Sequence, residues 1–180
     1  GDFAGWVSEW EATAERVRGV AVASQSAGHR LSAAEAYLRA STYYFNAAFF
    51  VVGTDGGEQR LPELWRKHRD CFEHAAGLFD PPFEKVSIPY EGGQLEGWFF
   101  PARGADGPRP LAILNNGSDG TVTDMWVQGA APATARGYHA LAFDGPGQGQ
   151  ALFEQGLHFR PDWEAVVTPV VDYALTRAHT

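Results

Sequence analysis

The sequence contains a single cysteine, Cys71, among its 180 residues. One cysteine cannot build an internal disulfide framework or a cysteine-rich zinc site, so both are excluded. The six histidines form no cluster with the spacing of metal ligands. We therefore predict neither a metal ion nor an organic cofactor.

Long apolar runs are also absent, because charged residues interrupt every hydrophobic stretch. A helix that spans a membrane needs about 20 consecutive apolar residues, so none is predicted. Asp2, Glu9, Glu11 and Glu15 interrupt the N-terminal stretch in the same way. We therefore expect no signal peptide and a cytoplasmic protein.

Positive charge is scarce, since 14 Lys and Arg residues face 22 Asp and Glu residues for a net charge of −8. An acidic chain has no general attraction for phosphate backbones or anionic lipids. We therefore expect neither a nucleic-acid partner nor a membrane partner. Hydrophobic residues make up 44% of the chain and aromatic residues 13%, a composition typical of a folded globular protein.

The first part of the chain, residues 1–82, has a helical pattern. Ser32 with Glu35 fits a capping box at the start of one helix, and Pro62 fits the first turn of the next. The apolar face of that next helix is predicted to consist of Leu64, His68, Cys71, Phe72, Ala75 and Phe79.

From residue 84 the hydrophobic pattern changes from helical to alternating. Residues 84–90 and 94–101 read as two strands around a turn. Residues 110–117 and 138–145 are continuous apolar runs, typical of strands buried on both faces. A helical stretch over residues 123–136 separates these two runs, which predicts a βαβ unit with parallel strands.

Two further segments complete the second part of the chain, residues 83–180. Residues 103–110 form a polar loop rich in glycine and proline, and residues 161–178 form a final helix that contains Pro169. Strands that alternate with helices in this way predict the α/β class.

Two loops follow the buried strands, and open parallel sheets bind ligands beyond the carboxyl ends of such strands. Nucleotide binding is disfavoured in the second loop. Gly145, Gly147 and Gly149 are spaced as G-x-G-x-G, but Gln150 breaks the dinucleotide pattern, and no Walker loop is present. In the first loop, Ser118 is not in a nucleophile elbow, because G-x-S-x-G needs glycine where Asn116 stands.

Four segments of the sequence resemble a known family: residues 29–41, 90–102, 110–126 and 137–149. They resemble the α/β-hydrolases related to the fermentation–respiration switch protein, to 2,6-dihydroxypseudooxynicotine hydrolase and to the fungal heptaketide hydrolase. The resemblance implies the N-terminal half of an α/β-hydrolase fold, with a mostly parallel sheet preceded by a helical cap region.

The resemblance also implies candidate site residues. Gly117, Ser118 and Asp119 correspond to the loop that supplies an oxyanion amide. Asp119 further matches an acidic residue that accompanies the catalytic triad, although a plain turn residue is an equal alternative. Tyr44 and Trp126 are candidates for an aromatic wall around the substrate, and packing in the protein interior is the alternative.

Two further aspartates have structural interpretations. Asp124 falls in the first turn of a predicted helix, where a carboxylate interacts favourably with the helix dipole. Asp144, at the start of the glycine-rich loop, is also expected to be structural.

The resemblance implies a serine-type hydrolase that cleaves an ester or a C–C bond beside a ketone. The triad is expected outside these residues, because the family places it after the helix at residues 161–178. About 100 residues remain for a sheet that normally takes about 200 or more. We therefore expect an acyl, aryl-ketone or ester substrate and a C-terminal segment or second chain that completes the sheet, with a homodimer as one arrangement. A non-catalytic regulatory or binding protein on the same fold is the alternative.

Overall fold

The structure is a computed structural model that describes residues 1–104 and 108–177. The chain divides into two compact units, Gly1–Phe79 and Asp80–Thr180. Residues 105–107 of the predicted polar loop, and Ala178 at the end of the predicted final helix, lie outside the described residues. In the parts of the chain that are described, no helix is both long and apolar enough to cross a bilayer.

The first unit consists of three long helices that pack side by side, with α2 in contact with both neighbours. A single 3₁₀ turn, Val51–Gly53, follows α2. The predicted apolar face of the third helix is confirmed, because all six of its residues are buried. The helices are α1 (Phe3–Ser26), α2 (Arg30–Phe49) and α3 (Gly57–Leu78).

Both predicted helix starts in this unit are wrong. Helix α2 begins at Arg30, so Ser32 lies inside it rather than at its cap. Helix α3 begins at Gly57, after Gly56 in the left-handed conformation, and Pro62 lies within the helix. Capping residues also occur inside helices, so a local signal does not by itself determine where a helix begins.

The second unit contains a four-stranded sheet with the order β1-β2-β4-β3. The predicted pair of strands around a turn is confirmed as an antiparallel hairpin. The strands are β1 (Glu84–Tyr90), β2 (Gly93–Phe100), β3 (Leu111–Asn115) and β4 (His139–Phe143).

Helical segments connect and cover these strands. The crossover from β3 to β4 is interrupted by a π-helical turn, and α6 lies in the glycine-rich segment where no helix was predicted. The segments are α4 (Val122–Met125), the π-helical turn (Trp126–Ala130), α5 (Ala131–Ala135), α6 (Gly149–Phe153) and α7 (Glu164–Arg177).

The predicted βαβ unit is confirmed, since β3 and β4 pair in parallel with Ala112 opposite Ala140. The prediction of a mostly parallel sheet is wrong for the described strands, because β1–β2 and β2–β4 are both antiparallel. Parallel neighbours need a long crossover, whereas a short turn joins β1 to β2. The described strands include one such crossover, so they include one parallel pair.

Strand β3 is less buried than its apolar sequence predicts. It lies at one end of the strand order, and its central residue Ile113 is 37% exposed. An apolar run indicates burial but cannot distinguish a central strand from one that is an edge within the described residues.

Each side of the sheet has its own apolar cluster. On one side, residues of α6 and α7 pack with the strands. In the other cluster, the rings of Phe83, Phe100 and Trp126 lie 4.3 to 5.5 Å apart. The first cluster contains Val86, Ile88, Tyr90, Leu95, Phe99, Leu141, Phe143, Ala151, Val166, Val170 and Ala174.

Buried polar groups connect α2 to α3 in the first unit. The Ser41 hydroxyl donates to the backbone carbonyl of His68 at 2.8 Å, and Nδ1 of His68 lies 2.8 Å from the carbonyl of Ser41. With a proton on Nδ1, each residue donates to the carbonyl of the other. This reciprocal pair is a structural link between the helices.

We expect Ser41→Ala to lower the free energy of unfolding by about 1 to 3 kcal/mol, because a buried carbonyl loses its donor. Ser32→Ala is the matched control. Its side chain is exposed within the same helix, so the change should stay within about 0.5 kcal/mol. Urea denaturation of both variants measures the difference, and equal effects would contradict the structural role of Ser41.

Candidate active site

Two loops meet at one edge of the sheet. Because β3 and β4 are parallel, their carboxyl ends lie together, and residues 116–121 and 144–148 follow directly. This is the edge at which open α/β sheets bind ligands. The loops are connected to each other by buried polar side chains.

The side-chain amide of Gln148 links the two loops. Its oxygen accepts from the backbone N–H of Gly145 and from the side-chain amide of Asn115, both at 2.9 Å. Its nitrogen donates to the carbonyls of Asn116 at 2.6 Å and Gly117 at 3.3 Å. Gln148 is only 2% exposed. Its amide is thus bonded on both the donor and the acceptor side, as a buried amide requires.

The carboxyl group of Asp144 forms a second link. One of its oxygens accepts from the side-chain amide of Asn116 at 2.8 Å, and the other accepts from the backbone N–H of Gln150 at 3.1 Å. Burial raises the pKa of Asp144 to about 6, although these two hydrogen bonds act to lower it. The negative charge of Asp124 raises the pKa further. The expectation of a structural role fits this position.

The glycine spacing of the second loop has a steric origin. A Cβ atom at Gly149 would overlap the Asp144 carboxylate, and one at Gly147 would overlap the ring of Phe159. Gly147 also has a φ of +83°, a conformation that L side chains rarely adopt. The G-x-G-x-G pattern therefore permits close packing of this loop.

The predicted oxyanion residues Gly117, Ser118 and Asp119 are all exposed, at the tip of the first loop. Directly after them, the side chain of Asp124 accepts from the backbone N–H of Thr121 at 2.9 Å. Thr121 and Asp124 thus form a capping box that begins α4, which confirms the structural interpretation of Asp124.

The two aromatic candidates occupy different units, and each is buried. Trp126 packs against Phe83 and Phe100 in the second unit. Tyr44 belongs to the first unit, where Lys67 lies over its ring at 5.6 Å. Burial raises the pKa of Tyr44, and the Glu15 carboxylate raises it further. Their contribution to substrate binding stays a prediction.

The residues that organise the loops were not found from the sequence. Gln148 and Asn116 are polar residues in loops, which are ordinarily exposed, and no residue spacing marks them as buried. Within residues 1–104 and 108–177, no group of three or more His, Cys, Asp or Glu side chains is arranged to hold a metal ion.

Comparison with solved structures identifies the class of fold. The crystal structure of 2,6-dihydroxy-pseudo-oxynicotine hydrolase matches with a TM-score of 0.78 and 24% identity, over 93% of this chain and 45% of that one. AbyA5 matches with a TM-score of 0.62 and 21% identity, over 93% and 43%. The chain therefore has the N-terminal portion of an α/β-hydrolase fold.

Sequence comparison finds related proteins in fungi. The hydrolase LUC6 of Fusarium sp is 35% identical over 179 residues, which are 97% of this chain and 42% of that protein. The α/β-hydrolase gkaG of Penicillium citrinum is 35% identical over 96% of this chain and 40% of its own length. The 20-hydroxy-prefusarin hydrolase FUS2 of Gibberella moniliformis is 32% identical over 96% and 42%.

These findings confirm the resemblance to the α/β-hydrolases for the N-terminal portion of that fold. The chain spans about two fifths of the length of the curated relatives it matches. No protein-family profile matches the sequence.

The raised pKa of Asp144 predicts a pH dependence of stability. The folded protein binds a proton at this carboxyl group up to about pH 6, whereas an ordinary carboxyl releases it near 3.8. The contribution of Asp144 to the free energy of unfolding is therefore fully present below about pH 4. This contribution, about 3 kcal/mol at most, is lost as the pH rises to about 6. We expect Asp144→Asn to remove this part of the pH dependence.

Urea denaturation at several pH values between 4 and 7 measures this effect. Asp119→Asn is the control, because it removes an exposed carboxyl group from the neighbouring loop and should leave the slope intact. A wild-type slope that persists in Asp144→Asn would contradict the prediction.

Proposed function

We propose that the complete protein is a serine-type hydrolase that cleaves an ester or a C–C bond beside a ketone. The loop Gly117–Asp119 supplies a backbone N–H to the oxyanion hole. A serine outside these residues attacks the carbonyl carbon, and a histidine outside them transfers the proton. The proposed substrate is a small acyl, aryl-ketone or ester compound.

The observation that carries this proposal is the position of the exposed loop. It follows β3 at the carboxyl edge of the sheet, and buried hydrogen bonds hold its first residues to the loop after β4. A fixed N–H group stabilises the negative charge that develops on the carbonyl oxygen. In related chemistry, one such donor lowers the activation barrier by about 3 kcal/mol.

The names of the relatives support hydrolysis as the reaction class. Proteins that match almost the whole of this chain are named hydrolases, and one of them is named for 20-hydroxy-prefusarin. We transfer the reaction class to the complete protein and leave the substrate at the level of its chemical class.

The proposal also includes a partner for the sheet and a location. The position of β3 at one end of the described strand order supports an additional strand beside it, from a C-terminal segment or from a second chain, which includes a homodimer. We propose the cytoplasm as the location. The thiol of Cys71 is free and buried, and burial raises its pKa to about 12, so it remains protonated and unreactive at neutral pH.

Asp119 has two candidate roles within this proposal. As a catalytic residue, its carboxylate assists the triad from the oxyanion loop. As a turn residue, it stabilises the loop before α4. Its exposure at the loop tip leaves the carboxylate accessible to a substrate, which supports the first role.

Covalent labelling of the complete protein tests the proposal. We expect phenylmethylsulfonyl fluoride to modify one serine, seen by mass spectrometry of the digested protein, and to abolish hydrolysis of a p-nitrophenyl ester. Heat-unfolded protein is the control, because labelling requires an activated serine. Absence of both labelling and hydrolysis would overturn the proposal in favour of a regulatory or binding protein.

A further inference from the structure

We infer that Gln148 is a positioning residue for the oxyanion hole, and that the backbone N–H groups of Gly117 and Ser118 are the donors that this loop contributes to it. This inference rests on the proposed hydrolase function. The side-chain amide of Gln148 determines the direction in which the backbone N–H groups of these loop residues point.

The hydrogen bonds of Gln148 define which way its amide group is turned. Its oxygen lies between two donors, the N–H of Gly145 and the side-chain NH₂ of Asn115. Its nitrogen lies between two acceptors, the carbonyls of Asn116 and Gly117. A reversed amide would place donor against donor and acceptor against acceptor, so one orientation is favoured.

The bound carbonyls in turn orient the N–H groups of the loop. In a planar trans peptide, the C=O of one residue and the N–H of the next point in opposite directions. Because the carbonyl of Asn116 points toward Gln148, the N–H of Gly117 points away from it. In the same way, the carbonyl of Gly117 points toward Gln148, so the N–H of Ser118 points away from it.

These two N–H groups belong to exposed residues, whereas Gln148 is buried. A substrate oxygen can therefore approach these two N–H groups from the side opposite Gln148. Successive N–H groups that point the same way form a concave site for an anion. The geometry thus assigns the donors to two specific amides of the loop.

A second contact fixes the start of the loop. The side chain of Asn116 donates to Asp144 while its carbonyl accepts from Gln148. Asn116 is therefore held at both its side chain and its main chain. Donors that are held in this way require little reorganisation during the reaction, which is the main source of their stabilising effect.

Two variants of the complete protein test the role of Gln148. Gln148→Met removes all four hydrogen bonds at similar volume. Gln148→Glu retains the acceptor side and replaces the donor that holds the two loop carbonyls. We expect both variants to lower kcat for p-nitrophenyl acetate by about 10- to 100-fold. We expect KM to change less than about threefold, because the lost interaction acts on the transition state.

A third measurement separates positioning from general stability. A phenylboronic acid forms a tetrahedral adduct with an active-site serine, and its affinity should fall in parallel with kcat/KM. The control is Gln128→Met, the same substitution at an exposed glutamine in the π-helical turn of the same unit. We expect this control to retain wild-type kcat and wild-type affinity for the boronic acid.

The donors are tested in the wild-type protein, which does not depend on the folding of a variant. On formation of the boronic acid adduct, we expect the amide proton signals of Gly117 and Ser118 to shift downfield more than those of neighbouring residues. Downfield shifts at Gly117 and Ser118 that do not exceed those of the other amides in the loop would overturn the assignment of the donors.

The outcomes distinguish this inference from the proposed function. Wild-type protein without hydrolysis or serine labelling overturns the proposed function. Active wild-type protein with unchanged kcat in both Gln148 variants overturns only the inference, as does a loss of kcat in Gln128→Met that equals theirs.

Discussion

The parallel pairing of β3 with β4 determines where the functional parts of the second unit lie. It places the ends of two strands side by side, so that residues from positions 115 to 150 share one small region. The polar residues of this region then bond to each other rather than to solvent. Residues of the loop after β4 thereby hold the exposed loop after β3 in place by hydrogen bonds.

This support has an energetic cost. Asp144 is almost completely buried, and the transfer of a carboxylate from water disfavours its charged form. Two donors offset part of that penalty, and Gly149 permits the close approach of the chain that one of them requires. The side-chain oxygen of Asn116 is buried with no hydrogen-bond partner among the described residues. Buried carboxyl groups and buried oxygens without a hydrogen-bond partner destabilise the folded state, and they are concentrated where a protein holds a site in one geometry.

Local patterns were sufficient to predict many of the elements. Alternation around residues 91–93 predicted the hairpin, and two apolar runs separated by a helical stretch predicted the βαβ unit. The capping residue Ser32 was misleading, because helix α2 already begins at Arg30 and capping residues also occur inside helices. The exposure of Ile113 depends on the strand order, which becomes apparent only when all the strands are placed.

The candidate site was predicted in part, for a similar reason. The loop after β3 was located from its position after an apolar run, and the family resemblance implied the residues Gly117–Asp119 within it. The role of Gln148 was not, because a glutamine in a glycine-rich loop is ordinarily exposed. Its burial results from strand pairing, and three of its four partners lie more than 30 positions earlier in the sequence. Composition and spacing do not encode a contact of this kind.

The sequence separation of these contacts has a consequence for synthesis on the ribosome. The groups that hold the loop after β3 lie between positions 115 and 150, within one βαβ unit and its following turn. Closing a loop of this size has a modest entropic cost, which grows only slowly with length. Domains are completed from the N-terminus during translation. The loop after β3 can therefore reach its final geometry as soon as the residues up to position 150 are free to fold.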